Sequence, residues 1–288
     1  MRKSLLSLMI IMVLSMACTK EEIRVTKVEY TPEDPTLTEA QLIHYVNRIY
    51  ISLTGRKPDS TELNGALQNL LVDPYNEIVR RSIISAVMQT DDYAFYLWTQ
   101  ARNAYLDGVD TAAINDRYRY YRNLAQNAPP GPSQEQYEYQ AKRLKRVTHV
   151  PDGLLNDSID IIEAHRRIID NEIYDQINMG TENFVVSAFQ NFLFRYPTAT
   201  ELQQGKKMVD GGQAVLFLRS GMGKPGFIDI FFDSNEYFEG QIRTLFKDYL
   251  YREPTTPELD DWASRYQMNK DYSAIQTDIL ASDEYLRQ

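Results

Sequence analysis

Apolar positions along most of this chain recur every three to four residues. Leu42, Val46, Ile49, Tyr50 and Leu53 form one such stripe, the mark of an amphipathic helix with a single inward face. No run alternates strictly between apolar and polar. No Asn-Gly or Asp-Gly pair joins two alternating runs either, so strand hairpins are not expected. The pattern predicts an all-α protein, a multi-helix bundle or array.

The polar punctuation between the stripes repeats. The chain reads RKPDSTEL at 56–63, RYPTATEL at 195–202 and REPTTPEL at 252–259. With Arg56, Arg195 and Arg252 aligned, an aromatic lies six residues earlier each time: Tyr50, Phe189 and Phe246. Pro58, Pro197 and Pro254 cannot continue the preceding helix, because proline lacks an amide donor and disfavours α geometry in the residue before it. Asp59-x-x-Glu62, Thr198-x-x-Glu201 and Thr255-x-x-Glu258 then read as capping boxes, each worth about 1 kcal/mol. The octapeptide is therefore a stop-turn-start signal. Its Arg and Glu are expected to cap backbone groups and to pair with each other, not to bind a ligand.

Each copy also closes alike, with Thr90-Asp91-Asp92-Tyr93, Ser234-Asn235-Glu236-Tyr237 and Ser282-Asp283-Glu284-Tyr285 following an apolar pair. Three helical units follow, at 39–105, 183–240 and 241–288, to be stacked or bundled. Residues 106–182 lack the octapeptide and read as a helical insert broken by Ala128-Pro129-Pro130-Gly131-Pro132. Within it, one helix is expected from about Asp157 to Asn178, with Ile159, Ile162, Ile169 and Ile173 inward. Around the proline cluster lie Tyr118, Tyr120 and Tyr121 among arginines, and Lys142-Arg143-Leu144-Lys145-Arg146. This is a basic, aromatic island in an otherwise acidic protein.

Composition adds an address. Arg2 and Lys3, then an apolar run from Leu5 to Leu14, form a signal peptide over 1–17, too short to span a membrane. The one cysteine, Cys18, stands at the first mature position, which predicts lipidation there and a tether over 18–38. The stretch resembles a Bacteroidota-type lipobox, with Leu14 displaced to −4 and a bulky Met16 at −2. Two or three acyl chains, at about 0.8 kcal/mol per buried methylene, would hold the protein on a membrane. Thr19-Lys20-Glu21-Glu22 resembles an acidic surface-export tag, so the expected location is the outer membrane or cell surface. The precursor carries 31 basic and 40 acidic side chains, net −9. Such a balance argues against nucleic acid as a partner. It also leaves the acyl group as the membrane anchor.

Chemistry is sparse. His44, His149 and His165 have no metal-ligand spacing, and neither a Gly-x-Ser-x-Gly elbow nor a His-Glu-x-x-His occurs. Ser220-Gly221-Met222-Gly223-Lys224-Pro225-Gly226 looks like a phosphate loop only until Pro225, which stands where a Ser or Thr is needed. It reads as a mobile loop inserted in the second copy. No catalytic residue, metal or cofactor is expected.

Ile49-Tyr50-Ile51-Ser52-Leu53-Thr54-Gly55-Arg56-Lys57-Pro58, with Gln89-Thr90-Asp91-Asp92-Tyr93 and Trp98, resembles an uncharacterised helical domain found beside cytochrome c modules in planctomycete-type proteins. Tyr251-Arg252-Glu253-Pro254, Trp262 and Ser282-Asp283-Glu284-Tyr285 are similar to an uncharacterised repeat of bacterial surface proteins, and the arginine-proline turn to the phycobilisome linker. These likenesses rest on packing and capping residues and imply fold. Haem attachment does not carry over, since one cysteine cannot supply Cys-x-x-Cys-His. The expected role is a lipid-anchored, non-enzymatic scaffold that docks another envelope protein. The runner-up is a carbohydrate-binding lipoprotein using exposed Trp98, Tyr118, Tyr120, Tyr121 or Trp262, and an envelope hydrolase stands third.

Overall fold

The computed structural model describes residues 37–288, so the expected signal peptide, Cys18 and nearly all of the expected tether lie outside the described residues. Four helices lead: α1 (Glu39–Thr54), α2 (Ser60–Leu70), α3 (Glu77–Met88) and α4 (Asp91–Tyr105). The insert supplies α5 (Thr111–Asn127), α6 (Pro132–Thr148), α7 (Val150–Leu155), α8 (Ile161–Ile169) and α9 (Glu172–Ile177). Next come α10 (Thr181–Leu193), α11 (Ala199–Val209), two short strands β1 (Gln213–Leu216) and β2 (Arg219–Met222), and α12 (Gly223–Phe232). The chain ends with α13 (Asn235–Leu250), α14 (Thr256–Asn269), α15 (Tyr272–Leu280) and α16 (Asp283–Leu286). The protein is an all-α helical array.

The local signals act as expected. Asp59, Thr198 and Thr255 are the N-caps of α2, α11 and α14, each in a complete capping box with Glu62, Glu201 or Glu258. The helices before them end in a left-handed residue: Gly55 (φ 71°), Phe194 (φ 55°) and Tyr251 (φ 55°). Glycine is needed at 55 for a second reason. A Cβ there would come within 2.6 Å of the Tyr96 ring. In the second copy large and small exchange places: Phe194 is aromatic, and Gly240 stands where Tyr96 falls after the closing tyrosine. A Cβ on Gly240 would run into the Phe192 carbonyl oxygen and lie 3.5 Å from the Phe194 ring.

Two expectations are corrected. The helix foreseen over 157–178 is broken. Asn171, fully buried, accepts hydrogen bonds from the amides of Ile173 (2.9 Å) and Tyr174 (3.1 Å), so it caps a new helix, α9, instead of continuing α8. The stretch 220–226 is no loop. Ser220–Met222 belong to β2, which pairs antiparallel with β1, and α12 starts at Gly223. The two-residue connection, Phe217 and Leu218, has both residues in the left-handed region (φ 48° and 62°), as a primed hairpin turn requires. It contains no Gly or Asn. Phe217 packs on Phe189 at 5.8 Å, which offsets the backbone strain.

The first described helices are tied to the last ones. Tyr45 Oη on α1 donates to the Leu280 carbonyl at 3.0 Å, and Arg48 donates to the carbonyls of Tyr285 (3.0 Å) and Tyr249 (3.2 Å). Arg80 on α3 is 3% exposed. It donates to the carbonyls of Ala281 (2.8 Å) and Pro74 (3.0 Å) and pairs with Asp283 at 2.7 Å. The stretch Leu37–Gln288 is accordingly one compact unit.

Candidate functional site

The repeated octapeptides build three copies of one ionic knot. Arg56 clasps Glu62 through both terminal nitrogens at 2.8 Å, while its Nε reaches Asp92 at 2.6 Å. Arg195 does the same with Glu201 (2.8 and 2.6 Å) and holds Glu236 through Nε at 2.6 Å and Nη2 at 2.9 Å. Arg252 holds Glu258 (2.9 and 2.7 Å) and Glu284 (2.6 and 2.8 Å). The aromatic six residues earlier lies against each guanidinium, at 5.7 Å for Tyr50, 5.0 Å for Phe189 and 5.1 Å for Phe246. The same Glu also accepts the amide of its own N-cap, at 2.7 Å in every copy.

Each arginine thus joins the octapeptide to the acidic residue of its closing tetrad. That geometry makes Arg56, Arg195 and Arg252, with Glu62, Glu201 and Glu258, structural ties. Pro58, Pro197 and Pro254 set the turns between them. The arginine holds the carboxyls of Glu201 and Glu258 down at about 2, and draws that of Glu62 below its ordinary value.

The motif around Lys224 is also a tie. Its ammonium pairs with Asp175 of α9 and lies 4.2 Å over the Phe184 ring, so no cation is left there for a phosphate. Arg143, 4% exposed, grips the same region through Asp175 (2.8 Å) and Asp170 (3.1 Å). His165 is buried, bonds Tyr237 Oη through Nδ1 at 2.9 Å, and is held neutral by burial, which pulls its pKa down to about 3. His44 and His149 lie at the surface.

The basic island is different. α5 and α6 form an antiparallel hairpin closed by the Pro/Gly cluster, with Pro132 in the first turn of α6. Only Ile114 and Ala125 of the seventeen residues of α5 are buried. Between Thr111 and Thr148 lie seven Lys and Arg against three Asp and Glu. Arg143 and Arg146 are bound to the body, and Arg117 and Arg119 have acidic neighbours. Arg122, Lys142 and Lys145 are exposed, with no ion-pair partner among the described residues. They rim a groove of about 330 Å³ floored by Tyr118, Ala125 and Ala141. Tyr120 is 54% exposed and packs edge-on against Tyr121 at 5.3 Å.

The other candidate glycan contacts fare unequally. Trp98 is 3% exposed, its indole N–H donating to Thr111 Oγ1 at 3.3 Å, so it is a core residue and offers no surface. Trp262 is half-buried against Phe246 at 5.6 Å, with the Arg265 guanidinium 4.3 Å over its ring.

A further feature escaped the sequence reading. A cavity of about 850 Å³ opens between α1, α4, α8, α13 and α15. Six tyrosines line it: Tyr93, Tyr96, Tyr105, Tyr249, Tyr251 and Tyr272, together with Gln100, Gln241 and Gln276. Gln276 bridges Tyr93 Oη (2.5 Å) and Tyr249 Oη (2.6 Å). Burial pushes the hydroxyls of Tyr93, Tyr249 and Tyr272 well above the ordinary phenol range, so they stay neutral at any physiological pH. Its walls come from five separate stretches of chain, and no local motif marks them.

Among the described residues no helix is long and apolar enough to cross a membrane, and no group of three His, Cys, Asp or Glu is placed to hold a metal. No protein-family model matches this chain, and comparison with curated proteins and with solved structures finds no similar protein.

Proposed function

We propose that this protein is a lipid-anchored, non-enzymatic scaffold of the cell envelope, tethered through an acylated Cys18, whose α5–α6 hairpin docks an acidic protein partner. One observation carries the reading: in a chain of net −9, the least buried helical pair is also the basic one, and three of its cations are unpaired. Charge complementarity names the partner's chemistry. The groove between the helices has an apolar floor, which suits protruding side chains of a protein better than the flat face of a bilayer. Tyr118, Tyr120 and Tyr121 supply rings of the kind that anchor interfaces. The glycan-surface alternative loses Trp98 to the core and has no comparable support.

A photo-crosslinking amino acid at Gln126, beside the groove, tests this in living cells. The expected result is one discrete adduct with a protein whose cross-linked surface is acidic. Arg122→Glu with Lys142→Glu abolishes the adduct, and an acid-to-lysine change in the partner restores it. Binding of the purified protein to anionic phosphatidylglycerol vesicles that is lost on the same double change would instead make the hairpin a membrane contact, against this proposal.

A further inference from the structure

The tyrosine-lined cavity carries an inference independent of the hairpin. We propose that it binds a short, uncharged oligosaccharide. Gln241, on α13, lines the cavity and is 5% exposed, and its side-chain amide makes no hydrogen bond with any described residue. Neither amide atom is sealed from solvent, so both are open to water in the free protein. A ligand hydroxyl in the cavity would take the place of that water on the amide N–H and carbonyl.

The rest of the lining specifies the ligand's class. Flat tyrosine rings accept the apolar faces of sugar rings, and amides and hydroxyls match the equatorial hydroxyls of a saccharide. The polar groups inside are uncharged: glutamines, tyrosine hydroxyls, Ser52, Thr244 and the neutral His165. At the rim stand one cation and one anion, Lys247 and Asp248, adjacent in sequence and opposite in sign. A charged ligand would therefore lose its hydration without gaining a counter-ion. A purely apolar ligand would leave Gln241 unpaired and bury the Gln276 network against hydrocarbon.

An aromatic ring stands at the mouth. Tyr251 ends α13 in the left-handed region, at φ 55°, although it is bulky and 75% exposed. Gly55 holds the corresponding position in the first copy without strain. Phe194, the matching residue of the second copy, has the same φ of 55° and does not line this cavity, so the conformation belongs to the repeated turn; what Tyr251 adds is an exposed ring at the entrance, beside the Arg48 guanidinium at 5.9 Å.

The test is calorimetric titration of the mature chain from residue 18, with Cys18→Ser to prevent acylation, against maltotriose, tri-N-acetylchitotriose, trigalacturonate and octanol. At least one of the two neutral trisaccharides is expected to bind, and trigalacturonate to bind at least tenfold more weakly. Gln241→Leu is expected to weaken that binding at least tenfold while the melting temperature stays level, because the side-chain amide makes no hydrogen bond within the protein. Tyr251→Gly is expected to weaken binding without lowering the melting temperature. Failure of both neutral trisaccharides to bind overturns the proposal, as does binding of octanol alone. A fall in melting temperature for Gln241→Leu with unchanged affinity also overturns it, by making the amide structural. Hairpin charge reversal leaves sugar affinity unchanged, so this result and that of the docking surface fail separately.

Discussion

The octapeptide turns and the α5–α6 hairpin both concentrate arginine, yet they use it in opposite ways. At the turns every guanidinium is tied to two carboxylates: Arg195 makes four bonds to its pair and lies against Phe189. On the hairpin Arg122 faces solvent without an ionic partner. Paired charge fixes geometry and offers little to a newcomer, whereas unpaired charge on a thinly buried element contributes little to stability and is available to a partner. The body is thus where stability resides, and the hairpin is where an exchange with the envelope is proposed.

The contrast predicts a ranked series of substitutions. Arg80→Met should cost most, about 3 kcal/mol, because it leaves the Ala281 and Pro74 carbonyls without a donor in a buried site. Denaturant unfolding checks it. Arg195→Met should cost about 2 kcal/mol, and Arg56→Met nearer 1, since Arg56 is more exposed and Asp92 meets it through a single bond. Equal costs at the two sites would show that the second carboxylate contact contributes nothing.

Acid should act on the body through the same ties. Glu201 and Glu258 titrate at about 2 when folded, below the ordinary carboxylate value of about 4.3. A folded pKa depressed in this way gives stability that is complete above the unfolded value and is lost as pH falls toward 2. Melting temperature should therefore drop between about pH 4.5 and 2, and Arg195→Met should flatten part of that drop. A pH-independent melting temperature across that window would contradict the assignment. Smallest of all, Arg122→Glu, Lys142→Glu and Lys145→Glu together should shift stability by no more than about 0.5 kcal/mol.

Much of the body was legible because its signals are local. Proline, capping box and the aromatic stripe fall within fifteen residues, and all three turns form as their residues dictate. The third member of each knot was not legible. Asp92, Glu236 and Glu284 lie 36, 41 and 32 residues from their arginines, and only folding brings the two recurring motifs together. The β-hairpin at 213–222 was missed because its turn uses Phe217 and Leu218 where Asn and Gly are the usual signal. Trp98 was misplaced because a tryptophan at helical spacing carries no mark of which face it occupies. The cavity was invisible for the same reason as the knots: Tyr93, His165, Gln241 and Gln276 converge from separate helices.

The division of labour is tested most directly by one variant with two readings. The triple charge reversal at Arg122, Lys142 and Lys145 is introduced into cells carrying the cross-linker at Gln126, and adduct yield and melting temperature are measured on the same protein. The account predicts loss of the adduct with an unchanged melting temperature. An adduct that persists, or one that vanishes only because the protein unfolds, would contradict it.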